Sequence, residues 1–269
     1  MGTTATKYTV PKYEIPIQTS AFNADIVVNT AGSIVYVSNT SKESATAYAA
    51  PSGDVLWTQS VPEARRMAMG EGGALVYVAG HMAVYALDAS TGETVRTLPV
   101  HMPISCVAYH SGSVFVGRSD LEIDTDRVVV LHADTGDAKT SFAPYGDGSG
   151  QLRSCTAMNI TSDGKHIVVA MSSIGQALSV FTTEGAFVKR LAPGFSRGGQ
   201  LDFCFAPNGI LVIADADAGR VMILHKDGSG LYNTCGDLLQ DEESAPIAVC
   251  HAAEGLWVLQ RHACKINVF

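Results

Sequence analysis

One unit recurs along this chain: a short apolar strand, a glycine turn, a second apolar strand, a loop, then a third strand and a further turn. A recurrent unit of this kind constrains a fold more than any single motif does. Its cleanest copy is LDFCFAPNGILVIADADAGRVMILHKDG, residues 201–228. There Asn208-Gly209 separates two β-rich runs, a strong hairpin signal. The first turn of each unit falls near Gly32, Gly73, Gly112, Gly164, Gly209 and Gly255, at spacings of 39 to 52 residues. Later turns fall near Gly53, Gly92, Gly136, Gly185 and Gly228. Units of ~40–50 residues with four short strands each predict the radial sheets of a β-propeller. No stretch keeps a helical apolar period long enough to compete.

Counting the units predicts how the ring closes. The sixth unit begins at Pro246, turns at Gly255 and stops at Phe269, one strand short. The run Lys12-Tyr13-Glu14-Ile15-Pro16-Ile17 precedes the first complete unit and is a spare strand. It is therefore expected to be the outer strand of the sixth blade, pairing residues near 12–18 with residues near 264–269. Pro11 and Pro16 suit an edge, where a missing N–H costs least. A seventh blade would need units of ~38 residues, and no seventh pair of turns is found. The expected fold is thus all-β, a six-bladed β-propeller with four-stranded blades whose N-terminal strand completes the last. Residues 1–269 form one domain, with a flexible lead-in over 1–11. Its blades run near 20–62, 63–100, 101–146, 147–193, 194–237, and 238–269 plus 12–19.

Hydrophobic residues at 46% and charged residues at 16% place the chain far from disordered compositions. No run approaches the ~20 apolar residues of a membrane span, and no N-terminal stretch reads as a secretory signal. A cytoplasmic location is expected. The formal charge of -8 argues against strong nonspecific nucleic-acid binding. The six cysteines (Cys106, Cys155, Cys204, Cys235, Cys250 and Cys264) show no C-x-x-C spacing and are expected to be free thiols, mostly buried.

YGDGSGQL (145–152) and GFSRGGQLDF (194–203) resemble the glycine-rich lead-in of NHL repeats. APNGILVIADADAGRVMIL (206–224) resembles the NHL core, with Asp215 ending one strand and Arg220 starting the next. ALDASTGETV and VLHADTGDAK are more similar to PQQ-type propeller repeats. The resemblance implies a propeller. For NHL-like members it implies protein or RNA binding, with lyases or lactonases a minority among related propellers. Fold alone does not choose between these.

The chemical motifs favour no catalytic set. Gly194-Phe195-Ser196-Arg197-Gly198 fits G-x-S-x-G but lacks the strand–turn–helix elbow that exposes a catalytic serine. Gly146, Gly148 and Gly150 precede no Lys-Ser/Thr and no helix, so they read as a blade connection. Cys250, His251, His262 and Cys264 sit at opposite ends of a hairpin, too far apart to share one zinc. Candidates for a metal drawn from different blades are His81, His101 and His262, with Asp120 and Asp124 of the acidic string SDLEIDTDR as oxygen ligands. MGTTAT fits an N-myristoylation string, which a tag-like Met-Gly start also produces.

Eight of the ten arginines map to the face that carries the blade-to-blade loops and the loops between second and third strands. Arg65, Arg66, Arg118, Arg153, Arg197 and Arg261 form the candidate binding set, while Arg127 and Arg220 suit structural roles at strand starts. A guanidinium fork matches carboxylates and phosphates. The competing reading pairs these arginines with Asp120, Asp126, Asp147, Asp202 and Asp215 on the same face. The leading expectation is a non-catalytic interaction or scaffold propeller, whole or as one domain of a larger protein, that needs no cofactor. It would bind an acidic or phosphorylated protein or peptide, with nucleic acid disfavoured. A metal-dependent propeller enzyme of lyase or lactonase type and an RNA-binding NHL-type propeller are the alternatives.

Overall fold

A computed structural model describes residues 11–17, 24–118, 125–171, 178–191, 201–206, 209–224, 231–234, 245–261 and 265–269. Strand β1 (Tyr13–Pro16) stands apart in sequence from the blades. Blade 1 holds β2 (Ile26–Val28), β3 (Ile34–Asn39), β4 (Ser44–Ala49) and β5 (Val55–Ser60). Blade 2 holds β6 (Met67–Met69), β7 (Leu75–Ala79), β8 (Ala83–Asp88) and β9 (Thr94–Pro99). Blade 3 holds β10 (Ile104–His110), β11 (Ser113–Arg118), β12 (Asp126–His132) and β13 (Ala138–Pro144). Blade 4 holds β14 (Ala157–Ile160), β15 (His166–Ala170), β16 (Leu178–Thr182) and β17 (Phe187–Leu191). Blade 5 holds β18 (Leu201–Phe205), β19 (Leu211–Asp215), β20 (Arg220–Leu224) and β21 (Leu231–Thr234). Blade 6 holds β22 (Pro246–Ala252), β23 (Gly255–Gln260) and β24 (Lys265–Val268).

All six sheets are four-stranded and antiparallel, and the sixth has the order β1-β24-β23-β22. The chain is a six-bladed propeller whose first strand closes its last blade. The closing register pairs Tyr13 with Val268, Glu14 with Asn267, Ile15 with Ile266 and Pro16 with Lys265. This is the pairing that the spare strand in the sequence predicts, with Pro16 on the outer edge. The predicted first turns at Gly32, Gly73, Gly112, Gly164, Gly209 and Gly255 all have positive φ, where glycine is favoured. Gly92 has a second reason to be glycine, because a Cβ there would lie 2.6 Å from the Trp57 ring.

Alternation along each strand explains how a thin sheet finds two apolar neighbours. In β3, Val35 and Val37 pack toward blade 6, while Tyr36 packs toward blade 2. The Tyr36 hydroxyl and the Trp57 indole N–H both donate to the Ala89 carbonyl of blade 2, each at 3.1 Å. The buried apolar side chains form one cluster at each of the six blade interfaces, the last joining blade 6 and β1 to blade 1. Outer strands are wetter: Val55, Leu56, Val95 and Val188 are exposed on β5, β9 and β17.

Cys106, Cys155, Cys204 and Cys250 are free thiols, and the first three are buried; Cys235 and Cys264 lie outside the described residues. A hydrogen bond with Cys106, together with burial, pushes the Cys155 thiol well up. Burial does the same to Cys204 and takes Cys250 to about 12. The thiolate is the reactive form. Iodoacetamide at pH 8 is therefore expected to leave Cys106 and Cys155 unmodified in the folded protein and to modify them in urea, as peptide mass spectrometry would read. Rapid native labelling of either would contradict this burial.

Candidate functional site

The inner strands β2, β6, β10, β14, β18 and β22 surround the ring axis, and the two ends of that axis differ in chemistry. At the end where these strands begin, Asp25, Arg66 and Asp202 meet. Arg66 lies just before β6 and reaches Asp202 of blade 5, opposite it in the ring, at 3.0 Å, and Asp25 of blade 1 at 3.3 Å. It also donates to the Leu201 carbonyl at 3.1 Å. Each carboxylate latches its own blade to the next. Asp25 accepts from the Met67 N–H at 2.7 Å, and Asp202 accepts from the Val249 N–H at 2.8 Å. The three side chains are buried. Burial pushes Asp25 up, against the pull of Arg66. Burial, with the charge of Asp25 added, takes Asp202 to about 7 against the same pull.

At the other end, where the inner strands run into their hairpin turns, a cavity of about 280 Å³ lies on the axis. All six blades line it, through residues such as Val28, Met69, Tyr109, Asn159, Phe205 and His251. Its lining includes no aspartate, glutamate, lysine or arginine.

The candidate arginines part company in the structure. Arg66 and Arg118 are buried, at 8% and 5% exposure. Arg65 is partly exposed and pairs with Glu63 at 3.0 Å. Arg153 is half-exposed and grips Asp147 through two nitrogens, one at 2.6 Å, with its guanidinium 5.9 Å from the Tyr145 ring centre. Arg261 is partly buried after β23, and Arg197 lies outside the described residues. Three of the same-face aspartates pair with arginines as the competing reading expects: Asp202 with Arg66, Asp147 with Arg153, and Asp215 with Arg220 at 3.3 Å. Asp126 accepts from the Ser141 hydroxyl at 2.5 Å instead. Arg127 is fully buried and stacks 4.8 Å from the Tyr145 ring centre.

Of the metal candidates, His81 binds Glu63 through Nδ1 at 3.0 Å, and the His101 backbone N–H donates to the Met82 carbonyl at 3.3 Å, which joins the two loops that carry these histidines. His262, Asp120 and Asp124 lie outside the described residues, as does the G-x-S-x-G string. Among the described residues no group of three His, Cys, Asp or Glu side chains could hold a metal ion. His251 faces Leu256 across the hairpin, beside the turn as expected. No described helix is long and apolar enough to cross a membrane.

Residues 41–255 match the PQQ-type repeat family described as outer membrane protein assembly factor BamB. The chain belongs to this family. The matched span takes in both strings that resemble PQQ repeats, and also the fourth and fifth units with their local NHL-like strings. No curated protein matches the chain. Sequence reading missed the latch at Asp25, although Asp25 and Asp202 stand at the same point of units one and five, immediately before Ile26 and Phe203. It also missed the axial cavity, whose lining shows only when the ends of all six inner strands are aligned.

Proposed function

We propose that the chain is a non-catalytic interaction propeller that takes an acidic or phosphorylated protein segment on its Arg65–Arg153 loop face. The observation that carries this reading is the contrast within the arginine set. Arg66 and Arg118 are buried, whereas the side chains of Arg65 and Arg153 remain 38% and 50% exposed. Both exposed guanidiniums are held by exposed carboxylates, Glu63 and Asp147. Exposed pairs of this kind contribute little to stability, so an incoming carboxylate or phosphate can take the place of either acid. The pairs also keep each fork oriented before a partner arrives. The family's description as an assembly factor agrees with a role in binding proteins. The free thiols suit a reducing compartment, and a cytoplasmic location is part of this proposal.

Charge reversal tests the face. Arg65→Glu/Arg153→Glu is expected to retain the wild-type melting temperature and to lose the partners that wild type captures, with about tenfold or greater weakening for an identified one. Identical partner sets would remove this face from consideration. Arg66→Glu is unsuitable for this purpose, because it would place a third carboxylate in the buried cluster.

A further inference from the structure

We infer that the axial cavity at the hairpin-turn end is a second binding site, selective for a neutral aromatic ring system with one hydrogen-bond donor. This site lies at the opposite end of the axis from the loop face and does not depend on that proposal.

Size sets the first limit. An apolar cavity of about 150 Å³ holds a benzene ring. A volume of about 280 Å³ has room for a two-ring system.

The walls set the second. Met67, Met69 and Met158 enter the lining from blades 2 and 4, and thioethers pack well against aromatic rings and adapt to their shape. No lining side chain is charged, and burying an ion without a partner is costly. Lys12 and Glu71 stand outside the lining, Glu71 at 3.5 Å from the Tyr109 hydroxyl.

Polar groups at the mouth set the third. Tyr109 already accepts from the Gly112 N–H at 3.1 Å. Asn159 is engaged with the Ile160 N–H at 2.9 Å and the Phe203 carbonyl at 3.4 Å. Among the described residues neither the His251 imidazole nor the Ser162 hydroxyl has a hydrogen-bond partner. Burial, aided by Lys12, lowers the His251 pKa and so favours the neutral ring, which has one nitrogen that accepts. An indole or phenol supplies the donor that this acceptor lacks.

Methyl-¹³C-methionine NMR of the full chain, with the three lining methionines assigned by single Met→Leu changes, provides the test. Indole is expected to shift the Met67, Met69 and Met158 methyls saturably, with a dissociation constant on the order of 0.1–1 mM for so small a ligand. Indole-3-acetate and tryptamine, the same rings with a negative or positive charge, are expected to bind at least about tenfold more weakly. N-acetyl-tryptophanamide distinguishes a free ring from a displayed side chain: binding like indole assigns the site to a partner's tryptophan, and weaker binding assigns it to a small molecule. Ala68→Phe should fill the cavity and abolish the shifts, and Ser162→Trp should cover its mouth from an exposed position that the fold does not need. Absence of saturable shifts up to about 5 mM indole would overturn the inference. So would equal binding of the charged analogues, or wild-type binding by a folded Ser162→Trp protein.

Discussion

Removing the first 19 residues is expected to destabilise this protein by an amount comparable to its whole folding free energy. The strand lost is β1, whose four residues pair in register with β24. Its Ile15 side chain is fully buried, and Ile17 beyond it is nearly so. Tyr13 sets its ring edge-on to Trp257 at 6.2 Å, and Lys265 pairs with Glu14 at 2.8 Å. Burying two isoleucines contributes roughly 3–6 kcal/mol. Opening the sixth blade also uncovers Trp257, Ile266 and Val268 in the cluster that joins blade 6 to blade 1. Small domains have only about 5–15 kcal/mol in total. Urea unfolding followed by tryptophan fluorescence should show the truncated protein losing its cooperative transition. Ile15→Ala gives a graded version of the same test, at about 2–4 kcal/mol. Wild-type unfolding by the truncated chain would mean that β1 is not what closes the ring.

That closure was legible in the sequence because it follows from counting. Six turn pairs, a sixth unit one strand short and one spare strand at the start leave a single consistent assembly. Glycines at turns and period-2 apolar strands are local signals, and the structure keeps them locally. The arginines were harder to read. Sequence assigns Arg65 and Arg66 to the same loop end as neighbours, and the structure leaves one partly exposed while burying the other across the axis. What separates them is which way each points at the start of β6, and its consequence depends on Asp202 being 136 residues away in sequence and opposite in the ring. Long-range juxtapositions of that kind follow from blade geometry. The axial cavity is the extreme case, since each strand contributes only a few residues to it and none is unusual in its own unit.

Arg66→Met is expected to cost about 3–5 kcal/mol, because it leaves two buried carboxylates without their shared cation. The pH dependence identifies the cause. Burial holds the Asp25 and Asp202 carboxyls above their ordinary value of 3.8, Asp202 at about 7. A carboxyl with a higher pKa in the folded chain binds more protons when folded, so stability falls as pH rises between the two values. In wild type Asp202 should therefore lower stability progressively from about pH 4 to about pH 7 and add no further slope above that, and Asp25, also raised, adds a slope of the same sign. Without the guanidinium both carboxyls rise further, so the penalty of Arg66→Met should be smallest near pH 4 and extend above pH 7. Asp202→Asn removes one titrating group and should flatten the wild-type slope, even though the amide is a poorer acceptor for the Val249 N–H. Chemical denaturation midpoints of the three proteins at pH 4.5, 6 and 8 separate these behaviours. Parallel pH profiles for wild type and Asp202→Asn would show that the carboxylate stays ionised throughout, and that Arg66 compensates its burial fully.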